Sequence, residues 1–307
     1  MPTVFLVGPT AVGKSAIALE LAKYSGAEII SADSMQVYRG MDIGTAKPST
    51  AERLLVPHHL IDICAVDEPF DVKQFVDLAS AALSEICSRA KTPLIVGGTG
   101  LYVRALRRGL FEGPARNPKL RERLERMTAT ELFDELQRVD SRTAKTIDRH
   151  NPRRLVRALE VFHETGKPIA VLQKEWLVGS KGRGAKSAGG AGAIFCLNRE
   201  RADLYERIER RIDGQFADGW VGEVKQLLKH GLEKNATAMQ AAGYRELAAH
   251  LRGELSLDEA VALIKTRTRQ LAKRQMTWFR REPDLKWITI ERDESPQTTA
   301  QRIIQLL

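Results

Sequence analysis

Apolar positions along this 307-residue chain change their period as the chain proceeds. Continuous apolar runs at 3–7, 28–32 and 93–96 read as buried strands. Between them, Ile17 and Leu21 with Ala18 and Ala22, and then Val72, Phe75, Val76, Ala79, Leu83 and Ile86, carry helical spacing. This alternation predicts a parallel α/β arrangement up to about residue 110. Strand signals then stop. Leu120, Leu124 and Met127, then Leu132, Leu136 and Val139, then Leu155, Leu159 and Phe162 with Gly166 as a C-cap, predict an inserted all-helical subdomain. Residues 179–192 are rich in glycine and cations and read as a flexible linker. A strand run returns at 193–197. Farther on, Ser256 and Glu259 form a capping-box pattern ahead of Leu257, Val261, Ile264, Thr268 and Leu271, which predict one face of a helix. The expected division is therefore 1–112 as the first part of the core, 113–178 as the insertion, 179–192 as the linker and 193–307 as the rest of the core. No internal repeat interrupts it.

The turn between the first strand and the first helix is Gly8, Pro9, Thr10, Ala11, Val12, Gly13, Lys14, Ser15. Strand, glycine-rich turn and helix in that order make a P-loop. Its glycines let backbone amides converge on phosphate oxygens, Lys14 adds a point charge, Ser15 offers a hydroxyl to Mg²⁺, and the helix N-terminus adds its dipole. The competing reading is a purely structural glycine turn. The expected fold class is α/β, a P-loop NTPase-like parallel sheet flanked by helices, with the helical insertion. P-loop hydrolases hold their metal with an acid after a second apolar strand, but residues 93–96 lead only into Gly97, Gly98, Thr99 and Gly100. The acid closes another run, as Asp33. Ligands bind at the carboxyl ends of strands in such sheets, so Asp33, Thr99 and the P-loop are expected in one crevice. The competing readings are a helix cap or turn former for Asp33 and a conformational turn residue for Thr99.

In sequence order, the blocks Gly8 to Ser15, Asp33-Ser34, the run 41–48 (Met-Asp-Ile-Gly-Thr-Ala-Lys-Pro), the run 96–102 around Thr99, Arg154-Leu-x-Arg157, Gly243-Tyr-Arg245 and Thr268 to Gln275 span nearly the whole chain. Together they resemble the tRNA dimethylallyltransferases, also called tRNA isopentenyltransferases. Met35-Gln36-Val37, a variable stretch in that family, and the glycine-rich insert after Trp176 depart from the pattern. The resemblance implies transfer of a dimethylallyl group from dimethylallyl diphosphate to the exocyclic amine of the adenine 3′-adjacent to the anticodon in tRNA, with Mg²⁺ as cofactor. It implies Asp33 as base and Thr99 as its catalytic companion. It also implies Gly8 to Ser15 with Arg211 on the diphosphate, and Ser15 on the metal. For tRNA it implies Asp33, Ser34, Met35, Gln36, Thr99, Arg121, Arg153, Arg154, Leu155, Val156, Arg157, Gln240, Ala241, Ala242, Gly243, Tyr244 and Arg245.

Charge adds a polyanionic partner to this picture. The chain carries a formal +9, unevenly spread: residues 1–50 balance four cations with four acids, whereas 262–281 hold seven cations and no acid. Lys265, Arg267, Arg269, Lys273, Arg274, Arg280 and Arg281 are thus expected to track a nucleic-acid backbone, the alternative being a solvated basic face. Arg153, Arg154 and Arg157 carry the same pair of readings. For Arg207, Arg210 and Arg211 the alternative is salt bridges with Glu206 and Glu209. Cys64, Cys87 and Cys196 have no paired spacing and read as small apolar residues in a reducing compartment. His58 and His59 beside Asp62 do not suggest a metal, because neighbours on a strand face opposite ways. Neither a secretory leader nor a membrane span is expected, leaving a cytoplasmic protein, expected to be a monomer. Prenylation of free adenine nucleotides, a small-molecule P-loop kinase and a nucleotide-gated RNA-binding module remain open, each less able to use the cations, Asp33 and Thr99 together.

Overall fold

In the computed structural model, which describes residues 3–111, 113–115, 117–179 and 192–307, the apolar runs become strands of one sheet. β1 (Val4–Val7), β2 (Glu28–Ser31) and β4 (Pro93–Gly97) are buried along their whole length, as continuous Val/Ile/Leu runs in a two-sided parallel sheet must be. With β3 (His58–His59), β5 (Ala193–Asn198) and β6 (Lys286–Thr289) they form the order β3-β2-β4-β1-β5-β6, every pair parallel. The central strand β1 therefore has β4 on one side and β5 on the other, and β2 lies beyond β4. The carboxyl ends of β1, β2 and β4 carry Gly8, Ala32-Asp33 and Gly98-Thr99.

The flanking helices follow from local signals. α1 (Lys14–Ser25) buries Ile17, Ala18, Leu21 and Ala22, the expected face, and α2 (Thr50–Leu55) is a short surface turn. α3 (Val72–Ser88) starts at a capping box formed by Asp71 and Gln74, and α4 (Gly100–Arg108) leaves the β4 turn. Residues between 109 and 179 pack as a unit of their own: α5 (Pro118–Glu125), α6 (Ala129–Val139), α7 (Ser141–Ala144), α8 (Pro152–Thr165) and α9 (Ile169–Gly179). Its core is Leu124, Leu132, Leu136, Ala144, Leu155, Val156, Ala158 and Leu159, and Gly166 ends α8 at φ 66° as a left-handed C-cap. The expected linker falls, apart from its two ends, outside the described residues.

After β5 come α10 (Arg201–Ala217), α11 (Trp220–Lys229), α12 (Tyr244–Leu251), α13 (Leu257–Phe279) and α14 (Pro296–Ile304), with α14 against α1. The capping box of Ser256 and Glu259 opens α13 as expected. Its buried face, however, is Ala260, Ile264, Ala272, Met276 and Phe279. Leu257 is exposed, and Thr268 and Leu271 line a cavity instead of entering the core. Of the thiols, Cys64 and Cys196 are buried; burial pushes the first up to about 11 and the second up to about 12. Among the described residues no helix is long and apolar enough to cross a membrane.

Candidate active site

The turn after β1 is shaped by close approach. A Cβ on Gly8 would lie 2.8 Å from the Leu197 carbonyl of β5, and Gly13 sits at φ 112°. Ala11 also takes a left-handed φ of 63°, a strain that L-residues adopt where a loop is held from outside. Two guanidiniums hold it: Arg207 Nε donates to the Ala11 carbonyl and Arg199 Nε to the Val12 carbonyl, both at 3.0 Å. Arg199 is itself buried and fixed by Asp203 at 2.9 Å and the Glu291 carbonyl at 3.0 Å. With these carbonyls capped, the loop offers a ligand its amides and cations.

The opposite wall comes from β2 and β4. Asp33 Oδ1 accepts the Met35 N–H at 2.9 Å, and Thr99 Oγ1 accepts the Ser34 N–H at 3.0 Å and donates to Ser34 Oγ at 3.3 Å. Both alternatives for these residues are thus real contacts: Asp33 does form a turn and Thr99 does fix one. They also share a cavity of about 270 Å³ with Ser34, Met35, Arg211, Trp220, Gln240, Ala241, Ala242 and Gln275. A second cavity of about 470 Å³ lies over the P-loop, lined by Ala11, Gly13, Lys14, Ser15, Ala16, Arg207, Arg210 and Arg211. It contains no carboxylate. Ala11 and Arg211 belong to both.

Electrostatics in the two chambers are linked. Lys14 Nζ donates to the Gly8 and Pro9 carbonyls at 3.0 and 2.7 Å. Burial lowers its pKa from 10.5 to about 8, with Asp33 pulling it up and Arg211 pushing it further down. Arg211 donates to Thr10 Oγ1 at 3.3 Å; burial lowers its pKa too, and Asp33 opposes the shift. Salt bridges from α10 do not account for these cations: Glu206 pairs with Arg292, and Glu209 with Arg269 at 2.5 Å.

Other expected residues divide into exposed and internal ones. Arg245 is exposed beside a further cavity of about 330 Å³ that includes Gln240, Ala241, Ala242, Arg267 and Arg274. Tyr244 is fully buried and its hydroxyl donates to Glu223 at 2.6 Å, while Gly243 lies beneath the Trp220 ring at φ 96°, so both side-chain positions face the interior. Gln36 is half-buried, its amide accepting from Ser31 Oγ at 2.9 Å and donating to the Thr45 and Ala46 carbonyls. Leu155 and Val156 are core residues of the helical unit, with side chains closed to any partner. In that unit Arg121 and Arg157 converge on the fully buried Glu160 at 2.8 and 2.6 Å. Burial alone would raise the Glu160 pKa, and the two guanidiniums outweigh it and bring the pKa below normal. Arg153 and Arg154 are exposed on the same helix.

On α13 the basic run also divides. Lys265 pairs with Asp213 at 2.6 Å, Arg269 with Glu209, and Arg267 with Glu246. Lys273, Arg274, Arg280 and Arg281 are exposed and have no carboxylate partner among the described residues. Sequence reasoning missed Glu223, whose carboxylate gathers the amides of Asp42, Ile43 and Gly44 at 2.8, 2.6 and 3.2 Å as well as the Tyr244 hydroxyl. This holds Gly44 flush against Trp220. The run 41–48 and the block at 243–245 were the sequence signals of that wall.

Comparison with known proteins identifies a family. The IPP transferase family model matches residues 36–282, and the isopentenyl transferase model matches residues 1–63. A tRNA dimethylallyltransferase of Geobacter metallireducens is 47% identical, with 93% of this chain and 91% of that protein covered. Another, from Trichlorobacter lovleyi, is 46% identical, with 92% of each covered. The crystal structure of the full-length tRNA isopentenylpyrophosphate transferase of Bacillus halodurans superposes with a TM-score of 0.73 at 38% identity, covering 99% of this chain and 95% of that one. A eukaryotic dimethylallyltransferase captured acting on tRNA gives a TM-score of 0.81 at 26% identity, covering 99% of this chain and 77% of that one.

Proposed function

This chain belongs to the tRNA dimethylallyltransferases of the IPP transferase family, and from that premise we propose how its own residues carry the reaction. It is a prenyltransferase that moves a dimethylallyl group to tRNA. The donor in our reading is dimethylallyl diphosphate, its diphosphate in the cavity of Lys14, Ser15, Arg207, Arg210 and Arg211. The acceptor is the exocyclic amine of the adenine on the 3′ side of the anticodon, held in the cavity of Asp33 and Thr99. The observation that carries the proposal is the pair of chambers joined at Arg211, one cationic without a carboxylate, the other containing an acid.

The chemistry follows from what each group can do. An adenine amine is a poor nucleophile because its lone pair is delocalised into the ring, and it becomes acidic as the new carbon–nitrogen bond forms. Asp33 takes that proton during attack, while the carbon–oxygen bond of the donor breaks and diphosphate departs. Charge growing on the leaving oxygens meets Lys14, Arg211 and the loop amides. Thr99 hydrogen-bonds the reacting groups from the turn it shares with Ser34. Ser15, whose hydroxyl is exposed at the start of α1, would hold Mg²⁺, an ion that takes oxygen donors of this kind. When bound, it neutralises diphosphate charge. A stacked base cannot reach such a chamber, so the adenine is flipped out of the anticodon loop. The enzyme works on tRNA in the cytoplasm.

Incubation with total tRNA, labelled dimethylallyl diphosphate and Mg²⁺ tests the proposal. Label is expected in tRNA on the adenine next to the anticodon. Label in free adenine nucleotides alone, or phosphate transfer from ATP, would overturn it.

The grip on tRNA is separable from the chemistry. Arg154, exposed on α8, is expected to neutralise one phosphate. Arg154→Ala should then weaken tRNA binding and reduce the slope of log affinity against log salt by up to about one unit, with saturated turnover unchanged. Filter binding between low and physiological salt measures both. An unchanged slope would return Arg154 to the status of a solvated side chain.

A further inference from the structure

The P-loop and the turn bearing Thr99 come from different strands, and one side chain joins them. Gln275 of α13 accepts the Thr10 N–H on its Oε1 at 2.8 Å and donates from Nε2 to the Gly98 carbonyl at 3.1 Å. The fit leaves no slack: a Cβ on Gly98 would meet Gln275 Nε2 at 2.5 Å and the Gly8 carbonyl at 3.2 Å. One turn farther along α13, Trp278 presses on Gly100 so closely that a Cβ there would enter its ring, and Arg104 stacks over that ring at 4.7 Å. One face of α13 thus clasps residues 98–100, and its amide ties them to Thr10. The two residues before Gln275, Lys273 and Arg274, are exposed cations on the same turn.

We propose that Gln275 is a positioning residue that fixes the P-loop relative to Thr99, and so sets the spacing between the departing diphosphate and the amine under attack; this rests on the assignment of the two chambers given above. Gln275 borders the acceptor chamber, but both ends of its amide are spent on backbone, so it acts through the register of the two loops. Transfer depends steeply on such a register, because a misplacement of about 1 Å costs about 10²-fold in rate.

Two variants of the full-length enzyme test this. Gln275→Met keeps length and loses both hydrogen bonds, whereas Gln275→Glu keeps the acceptor for Thr10 and loses the donor to Gly98. Single-turnover transfer at saturating tRNA and donor is expected to fall about 10²-fold in Gln275→Met and by less in Gln275→Glu. In both, tRNA affinity by filter binding is expected to stay at the wild-type value, and a melting curve monitors folding. Wild-type saturated rates in both variants, or losses confined to tRNA affinity, would overturn the role. If Gln275→Met fails to fold, Gln275→Glu decides: a wild-type rate refutes the proposal, and a reduced saturated rate with intact tRNA affinity supports it. Failure of the chamber assignment has a different signature, an unmodified enzyme that moves no label from dimethylallyl diphosphate to tRNA.

Discussion

Asp33→Asn is expected to slow single-turnover transfer by on the order of 10²- to 10⁴-fold, a barrier increase of about 3 to 5 kcal/mol, while tRNA and donor still bind. Asparagine is the informative replacement because Asp33 has two jobs. Its Oδ1 accepts the Met35 N–H at 2.9 Å and so shapes the turn that meets Thr99. An amide oxygen preserves that bond and removes the basicity, so the rate loss in Asp33→Asn reports proton transfer. Asp33→Ala removes both, and any further loss beyond Asn measures the turn. A wild-type single-turnover rate in Asp33→Asn would remove Asp33 as the base, and the proton would have to leave through another acceptor in the chamber.

How much of this was legible in the sequence depends on whether a signal was local. Strands β1, β2, β4 and β5 were readable because burial on both sides forces continuous apolar runs, and the P-loop was readable because its chemistry lies within eight consecutive residues. β6 was not, since it is an edge strand with only Ile288 of its four residues buried. β3 has only two residues, too few for an apolar pattern, and was touched only by the reading of His58 and His59 as neighbours on a strand. The face of α13 was partly misread because Thr268 and Leu271 have helical spacing toward the core side yet border a cavity. Cation counting also overreached. Arg269 and Lys265 look free along the chain, but Glu209 and Asp213 reach them from α10, about sixty residues earlier in sequence for the first pair. The roles of Arg199, Arg207, Glu223 and Gln275 were out of reach because each also bonds backbone atoms far away in sequence, 265 residues away for Gln275 and Thr10, and a backbone partner leaves no residue-type signal.

The half-buried Lys14 at the P-loop makes donor binding pH-dependent in a defined direction. Lys14 has its pKa lowered from 10.5 to about 8, burial being the main cause. Below that value Lys14 is charged and ready for diphosphate; above it, donor binding must bring in a proton. The apparent donor dissociation constant is therefore expected to be flat below pH 8 and to rise about tenfold per pH unit above it. Titration calorimetry in buffers of differing ionisation enthalpy should show uptake of about one proton at pH 9 and none at pH 7. The stability sign is opposite. Between the folded value and 10.5 the unfolded chain holds a proton that the native state lacks, so this group's contribution to stability rises with pH through that window. At neutral pH the native state carries a charged, desolvated Lys14, and Lys14→Met should raise the melting temperature while weakening donor binding and slowing transfer by about 10²- to 10³-fold, the range for loss of one preorganised charge donor. The same substitution should abolish proton uptake at pH 9. Retained donor affinity, or persistent proton uptake in Lys14→Met, would mean that another group, and not Lys14, supplies the charge that holds the diphosphate.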